Sequence, residues 1–341
     1  MACFAHHFKQ DVVGNVRADV DLVIRCIERP DDGTAAPKPK RARTAAAAAP
    51  NGDATYPVEI HRFPAHNIIL NAYSDYFRAQ GARWQDAAQP PATPTAGNGS
   101  SPSGGSSIAA SAQRPALYLT IDDAEQLPAA EAVIAEMYGV PGAISSLEQQ
   151  QAVHAAIIAD KVRVEAAGQQ AVQALQAAAR SERLTTAALQ ALAAVPDWPS
   201  CMLQLLPVIL EHAPCCRDST ADLEALAAAD AGGMTQQILL AVFGDLQELW
   251  SNAQLQALLG KLPRQAMQLL LSSDQLRVPS EDTVLYTAKQ YVQAQPATAQ
   301  AAAKAALAPL VRAPQLSLFA LSCAALPADS SQQLLGRTPR S

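Results

Sequence analysis

Residues 19–27, DVDLVIRCI, alternate apolar and polar positions over a β-branched run, placing Val20, Leu22 and Ile24 on one face of a half-buried strand. Shorter runs at 56–63 and 117–121 read as two more strands. From 66 to 79 the period changes. Apolar residues recur at Ile68, Ile69, Ala72, Tyr76 and Phe77, the spacing of a helix with one inward face. Helical patterns follow at 129–137 and 146–178. Beyond residue 184 no strand pattern occurs, only helical spacing interrupted by Pro196, Pro207, Pro214, Gly232, Gly233, Pro263, Pro279, Pro296 and Pro314. The clearest helix start is Ser280, whose hydroxyl is placed to cap orphan N–H groups while Glu281 and Asp282 suit the positive end of the dipole. The inward stripe of that helix is Val284, Leu285, Ala288, Tyr291 and Val292. LQAL recurs at 189–192 and 255–258 without a fixed period, which argues against a solenoid. These elements predict an α+β unit with a short sheet, followed by an all-α unit.

Two stretches break the pattern. Residues 30–53 hold proline, alanine and charge in place of any hydrophobic period, and 87–116 are rich in Pro, Ala, Ser and Gly. They read as mobile insertions, at about 30–55 and 85–115, in a first domain spanning 10–178. A helical domain over 184–325 and a disordered tail over 326–341 complete the expected layout.

The 341 residues are 49% hydrophobic and only 16% charged, with alanine and glutamine in place of charge, a composition that favours helix. The net charge of −6 does not suit a general coat for nucleic acid. The longest apolar stretches, 201–210 and 316–326, fall short of the roughly 20 residues a bilayer requires and read as buried helices. The opening MACFAHHFKQD lacks the apolar core of a secretory signal, and six cysteines without a CxxC pair suit a reducing compartment. A soluble, cytoplasmic protein is expected.

Candidate chemistry is sparse. HAPCC, with His212, Cys215 and Cys216, has metal-capable side chains but not the spacing that wraps zinc, and adjacent cysteines tend to point apart. Buried, apolar-like cysteines are the reading taken, and His6 and His7 offer only adventitious metal binding. No nucleophile elbow, phosphate-cradling loop or H-E-x-x-H occurs, and GGMTQ at Gly232 lacks the lysine of a P-loop. No catalytic, cofactor or metal residues are therefore expected. The basic run KPKRAR, with Lys38, Lys40, Arg41 and Arg43, reads either as a solvated loop or as a nuclear import signal.

The string FPAHNIILNAYSDYF, 63–77, resembles the central segment of BTB (POZ) domains, as DVDLVI from Asp19, EMYGV around Tyr138 and ADKVRV at 159–164 resemble other parts of that fold in the same order. Likewise SDQLRVPSEDTVLYTAKQYV, 273–292, resembles the helical BACK domain, with Tyr291 in place of the usual tryptophan. The resemblance implies a BTB domain followed by a BACK domain, without Kelch repeats. It also implies a homodimer whose interface draws on Asp19, His66, Asn67, Tyr76 and Phe77. Asn67 stands where the family carries a basic residue, so the pocket it shares with Asp19 is less ion-paired than usual. On the residues alone, Asp19 as a local cap and His66 as a satisfied buried histidine remain equally open. The implied function is non-enzymatic: an adaptor presenting protein targets to a cullin-RING ubiquitin ligase. The hydrophobic-x-Glu motif common in cullin recruiters is missing, Asp86 being the sole acid between Phe77 and Leu117. A scaffold or nuclear transcriptional co-regulator without a ligase is the alternative.

Overall fold

A computed structural model describes residues 18–27, 57–88, 114–181, 184–217 and 222–324. His6, His7, the KPKRAR residues Lys38, Lys40, Arg41 and Arg43, the whole of the first expected insertion, most of the second and the segment 326–341 lie outside the described residues. The chain divides into two compact units, Met1–Leu147 with Ile158–Gly168, and Glu148–Ile157 with Gln169–Ser341. Residues 148–157 and 169–178 thus group with the helical unit, although the sequence reading carries the first domain to 178.

The first unit is built on three strands, β1 (Val20–Ile27), β2 (Pro57–Ala65) and β3 (Ala116–Ile121), in the order β2-β1-β3. β1 pairs antiparallel with β2 and parallel with β3, so Leu22 lies opposite both Phe63 and Leu117, and a bulge falls between Ile24 and Arg25. Because β1 is central, both of its faces are covered: Val23 is as fully buried as Leu22 and Ile24, where alternation predicts one inward face. β2 is an edge strand, carrying Pro57 and Pro64 and mostly exposed side chains.

The single helix expected over 66–79 is two helices, α1 (Asn67–Tyr73) and α2 (Asp75–Ala88). Ser74 is extended between them and buried, with its hydroxyl donating to the Val162 carbonyl at 2.5 Å and accepting the Phe77 N–H at 3.3 Å. The break reassigns the faces. Leu70, Ser74 and Phe77 point inward, while Ile68 and Ala72, expected inside, are exposed. After β3, α3 (Leu127–Met137) buries Ala129, Ala130, Val133 and Ile134.

The helical pattern at 146–178 is also interrupted, giving α4 (Gln149–Lys161) and α5 (Glu165–Ser181). α4 closes in a Schellman motif: Val164 N–H bonds to Ala159 O at 2.8 Å and Arg163 N–H to Asp160 O, with Arg163 left-handed at φ 59°. α3 closes the same way through Gly139 at φ 70°.

In the second unit the prolines start helices rather than merely ending them. α6 (Thr186–Ala193) is followed by α7 (Leu206–His212), with Pro207 in its first turn, and by the short α8 (Pro214–Arg217). α9 (Leu223–Ala229) and α10 (Met234–Phe243) flank Gly232 and Gly233, both at positive φ. Next come α11 (Leu246–Ser251), α12 (Ala253–Leu259) and α13 (Arg264–Ser272). α13 is the core helix, burying Gln265 through Leu271 against α8, α9 and α10. α14 (Glu281–Ala294), α15 (Ala297–Leu307) and α16 (Leu318–Ala324) complete the unit. Among the described residues no single helix is long and apolar enough to cross a membrane.

Three expectations change here. Ser280 does stand at the N-cap of α14, but its side chain makes no capping bond and lies 3.4 Å from the Thr283 hydroxyl. Its acidic neighbours hold the C-terminal segment: Glu281 accepts the Arg312 N–H at 2.6 Å and Asp282 the Ser317 N–H at 2.9 Å. The hydrogen bonds from Ser317, side chain and backbone, keep the Asp282 carboxyl below its usual range. Of the α14 stripe, Val284, Leu285, Ala288 and Tyr291 are buried and Val292 is half-buried. The stretch from 316, expected to be a buried helix throughout, buries Leu316 but leaves Leu318 and Phe319 83% and 78% exposed on the first turn of α16.

Candidate functional site

α1 begins without a cap of its own, since the His66 side chain makes no capping bond. The Asp19 carboxylate fills the place from across the unit, accepting the Asn67 N–H at 2.8 Å. An anion thereby sits at the positive end of α1. The buried His66 N–H donates to the Tyr138 hydroxyl at 2.8 Å, and His66 Nδ1 lies 3.4 Å from the same oxygen. Burial pushes the Tyr138 hydroxyl up to about 12, against the His66 N–H bond and with the nearby Asp19 charge adding to the rise.

Asp19, His66 and Asn67 therefore meet at one end of α1. The other two candidates lie elsewhere. Tyr76 is half-buried and donates to the Tyr118 carbonyl at 3.2 Å. Phe77 has no exposed surface and packs edge-on to Tyr76 with ring centres 5.3 Å apart. Phe77 is a core residue, and its expected place at a partner surface is withdrawn because the folded unit encloses it.

Sequence reasoning missed what α1 presents instead. Ile68 and Tyr73 are 74% and 58% exposed, with Ala72 also open to solvent beside them. Underneath, the Asn67 and Asn71 side-chain carbonyls are shielded without a hydrogen-bond partner among the described residues, each 3.7 Å from where a Cβ on Gly81 would stand. At that spacing a Cβ on Gly81 would make only ordinary van der Waals contact with the two amides. The arrangement offers a capped helix with an apolar outer face beside a carboxylate, which is a surface for contact.

In the second unit the sulfurs of Cys215 and Cys216 face one another at 3.9 Å, rather than pointing apart, and Cys215 lies 3.5 Å from the Thr235 hydroxyl. The Cys216 contact lowers the Cys215 thiol to about 7 against the effect of burial, while Cys215 and burial push Cys216 up. Among the described residues no group of three or more His, Cys, Asp or Glu side chains is placed to hold a metal ion. Tyr291, in the place of the usual tryptophan, is fully buried and donates to the Leu262 carbonyl at 2.9 Å. Its hydroxyl has the partner that burial demands.

Residues 242–324, from the end of α10 through α16, match the family model described as "BACK: BTB And C-terminal Kelch". The match supports a BACK domain over those residues. It contains the string from Ser273 to Val292 read from the sequence, whose second part from Glu281 forms most of α14, and Tyr291 takes its core position. The BACK match lies wholly within the helical unit, downstream of the mixed α+β unit. No curated protein matches the chain.

Proposed function

We propose that the chain is a dimeric, non-catalytic adaptor that brings protein targets to a cullin-RING ubiquitin ligase, in the cytoplasm or nucleus. The BACK domain at 242–324 carries this reading, because such domains sit in adaptors that bind other proteins. Ahead of it, the three-stranded unit with its Asp19-capped α1 supports a BTB domain, with Ile68 and Tyr73 available to a second copy. The mechanism is tethering: two chains joined through their first units hold two ligase arms, and a bound target is kept at high effective concentration. The test is a pull-down with the purified full chain against a panel of cullins, beside a BTB protein known to bind one. Retention of a cullin is expected; failure where the control succeeds overturns the ligase role.

One observation favours a second reading, a scaffold or transcriptional co-regulator without a ligase. The segment between Phe77 and Leu117 holds Asp86 as its sole acid, where cullin recruiters carry hydrophobic-x-Glu. Loss of nuclear staining on changing Lys40 and Arg41 to alanine supports it; unchanged staining counts against it.

A further inference from the structure

A cleft of about 580 Å³ opens in the helical unit between the turn after α6 and the α10–α12 wall. That volume falls in the range, about 300–1,000 Å³, of sites that enclose a ligand. Local sequence shapes it. After α6 the chain turns through VPDWPS, and the Trp198 indole N–H anchors that turn on the Leu192 carbonyl at 3.1 Å. Opposite, Gly244 lets the chain leave α10 tightly, since a Cβ there would stand 2.2 Å from the Leu240 carbonyl oxygen. Arg277 is held alongside by backbone bonds to Gly244 O at 2.8 Å and from Leu246 N.

Among the described residues the lining joins apolar side chains, including Leu240 and Leu255, to three carboxylates, Asp197, Asp245 and Glu248, opposed by the single cation Arg277. Among the described residues none of these four charges is in an ion pair. Asp245 uses one oxygen to cap α11, accepting the Gln247 and Glu248 N–H groups at 2.8 and 3.2 Å, and among the described residues its other oxygen makes no such bond. Asp197 and Glu248 are exposed, so their charges stay in water and face the cleft at no desolvation cost. Exposed amides, Gln237 and Gln275, add donors and acceptors suited to a peptide backbone.

We propose that this cleft docks a basic peptide segment of a partner protein, with the aliphatic stems of Lys or Arg against Leu240 and Leu255 and their charged heads among the three carboxylates. Long basic side chains match such a site because they bury their stems while keeping the charge solvated. The proposal deepens the adaptor reading, giving the target a place to dock, and rests on it for biological sense. Its test uses no ligase component, so its failure leaves the cullin result untouched.

The experiment is fluorescence anisotropy with the full chain and a labelled nonapeptide alternating Lys or Arg with Leu and Ala, beside counterparts carrying Gln or Glu at the basic positions. The basic probe is expected to bind and the Glu probe not to, with affinity falling as salt is raised. The double variant Asp197→Asn/Glu248→Gln should weaken binding by roughly three- to tenfold, since each partly solvated pair contributes little alone. Arg277→Gln should strengthen it by removing the competing cation. Hydrogen exchange on the complex should show protection at 193–203 and 237–255. Equal binding of the Gln probe, indifference to the double variant, protection elsewhere, or displacement by spermidine at matched charge would each overturn the proposal; the last would reassign the cleft to a free polyamine. Unchanged melting curves for the variants exclude misfolding, both acids being exposed.

Discussion

A backbone N–H buried where a helix begins has to find an acceptor, and at His66 it finds the hydroxyl of Tyr138, 72 residues further along. Tyr138→Phe keeps the ring and removes the acceptor, leaving the buried N–H unpaired. A loss of about 1–3 kcal/mol in urea-melt stability is expected, larger than for a surface change. Alkaline pH exposes the same group. Tyr138 and Tyr291 are held near 12 by burial, while an unfolded tyrosine ionises near 10. Below pH 10 both states keep the proton and the contribution is complete. Between 10 and 12 only the unfolded chain releases it, so stability falls with rising pH across that window. Equilibrium unfolding at several alkaline pH values should show the decline, and it should be shallower in Tyr138→Phe. The string EMYGV made Tyr138 visible in the sequence, but not its partner: the bond joins residues too far apart for any local pattern to report.

Two helix ends close with the same pair of backbone bonds, yet only one is announced by its residues. Gly139 marks the end of α3 openly, whereas α4 ends on Arg163 at φ 59°, inside an apolar period that runs on into α5. Pattern alone therefore reads 146–178 as one helix. A side chain at that φ costs about 1–2 kcal/mol in the left-handed region, part of which glycine returns through its more flexible unfolded state. Arg163→Gly is expected to stabilise the chain by about 0.5–1 kcal/mol in denaturant melts, and an unchanged or lower midpoint would show that the arginine side chain earns its place. Ser74 is the opposite case. Its break between α1 and α2 is set by Val162, 88 residues away, so the helical period from Ile68 to Phe77 gave no warning of it. Ser74→Ala removes both the bond to Val162 and the acceptor for Phe77 N–H, with an expected loss of about 1–2 kcal/mol. The strands were legible to within two residues because their period of 2 needs no distant partner.

On the scale of the whole molecule, the sequence order of mixed unit then helical unit is readable because the strand period ends at 121 and only helical spacing follows, while the face each unit turns outward is decided by packing. α1 shows why. With Leu70 committed to the core, the same helix leaves Ile68, Ala72 and Tyr73 on the outside. A second copy meeting that face would form an isologous contact, each α1 covering the other's apolar residues. Burying an isoleucine side chain contributes about 1.5–3 kcal/mol, so a twofold pair of Ile68 and Tyr73 offers enough to offset part of the entropy lost on association. Light scattering on the eluting protein is then expected to give twice the chain mass of 35.8 kDa. Because both side chains are mostly exposed in the single chain, Ile68→Glu/Tyr73→Glu should leave its melting temperature at low concentration unchanged while halving the measured mass. Four added carboxylates would face one another across the twofold axis, and like charges at that distance oppose the contact. A dimer that survives the double change has its interface elsewhere, and a chain that elutes as a monomer from the start leaves the tethering mechanism without its second arm.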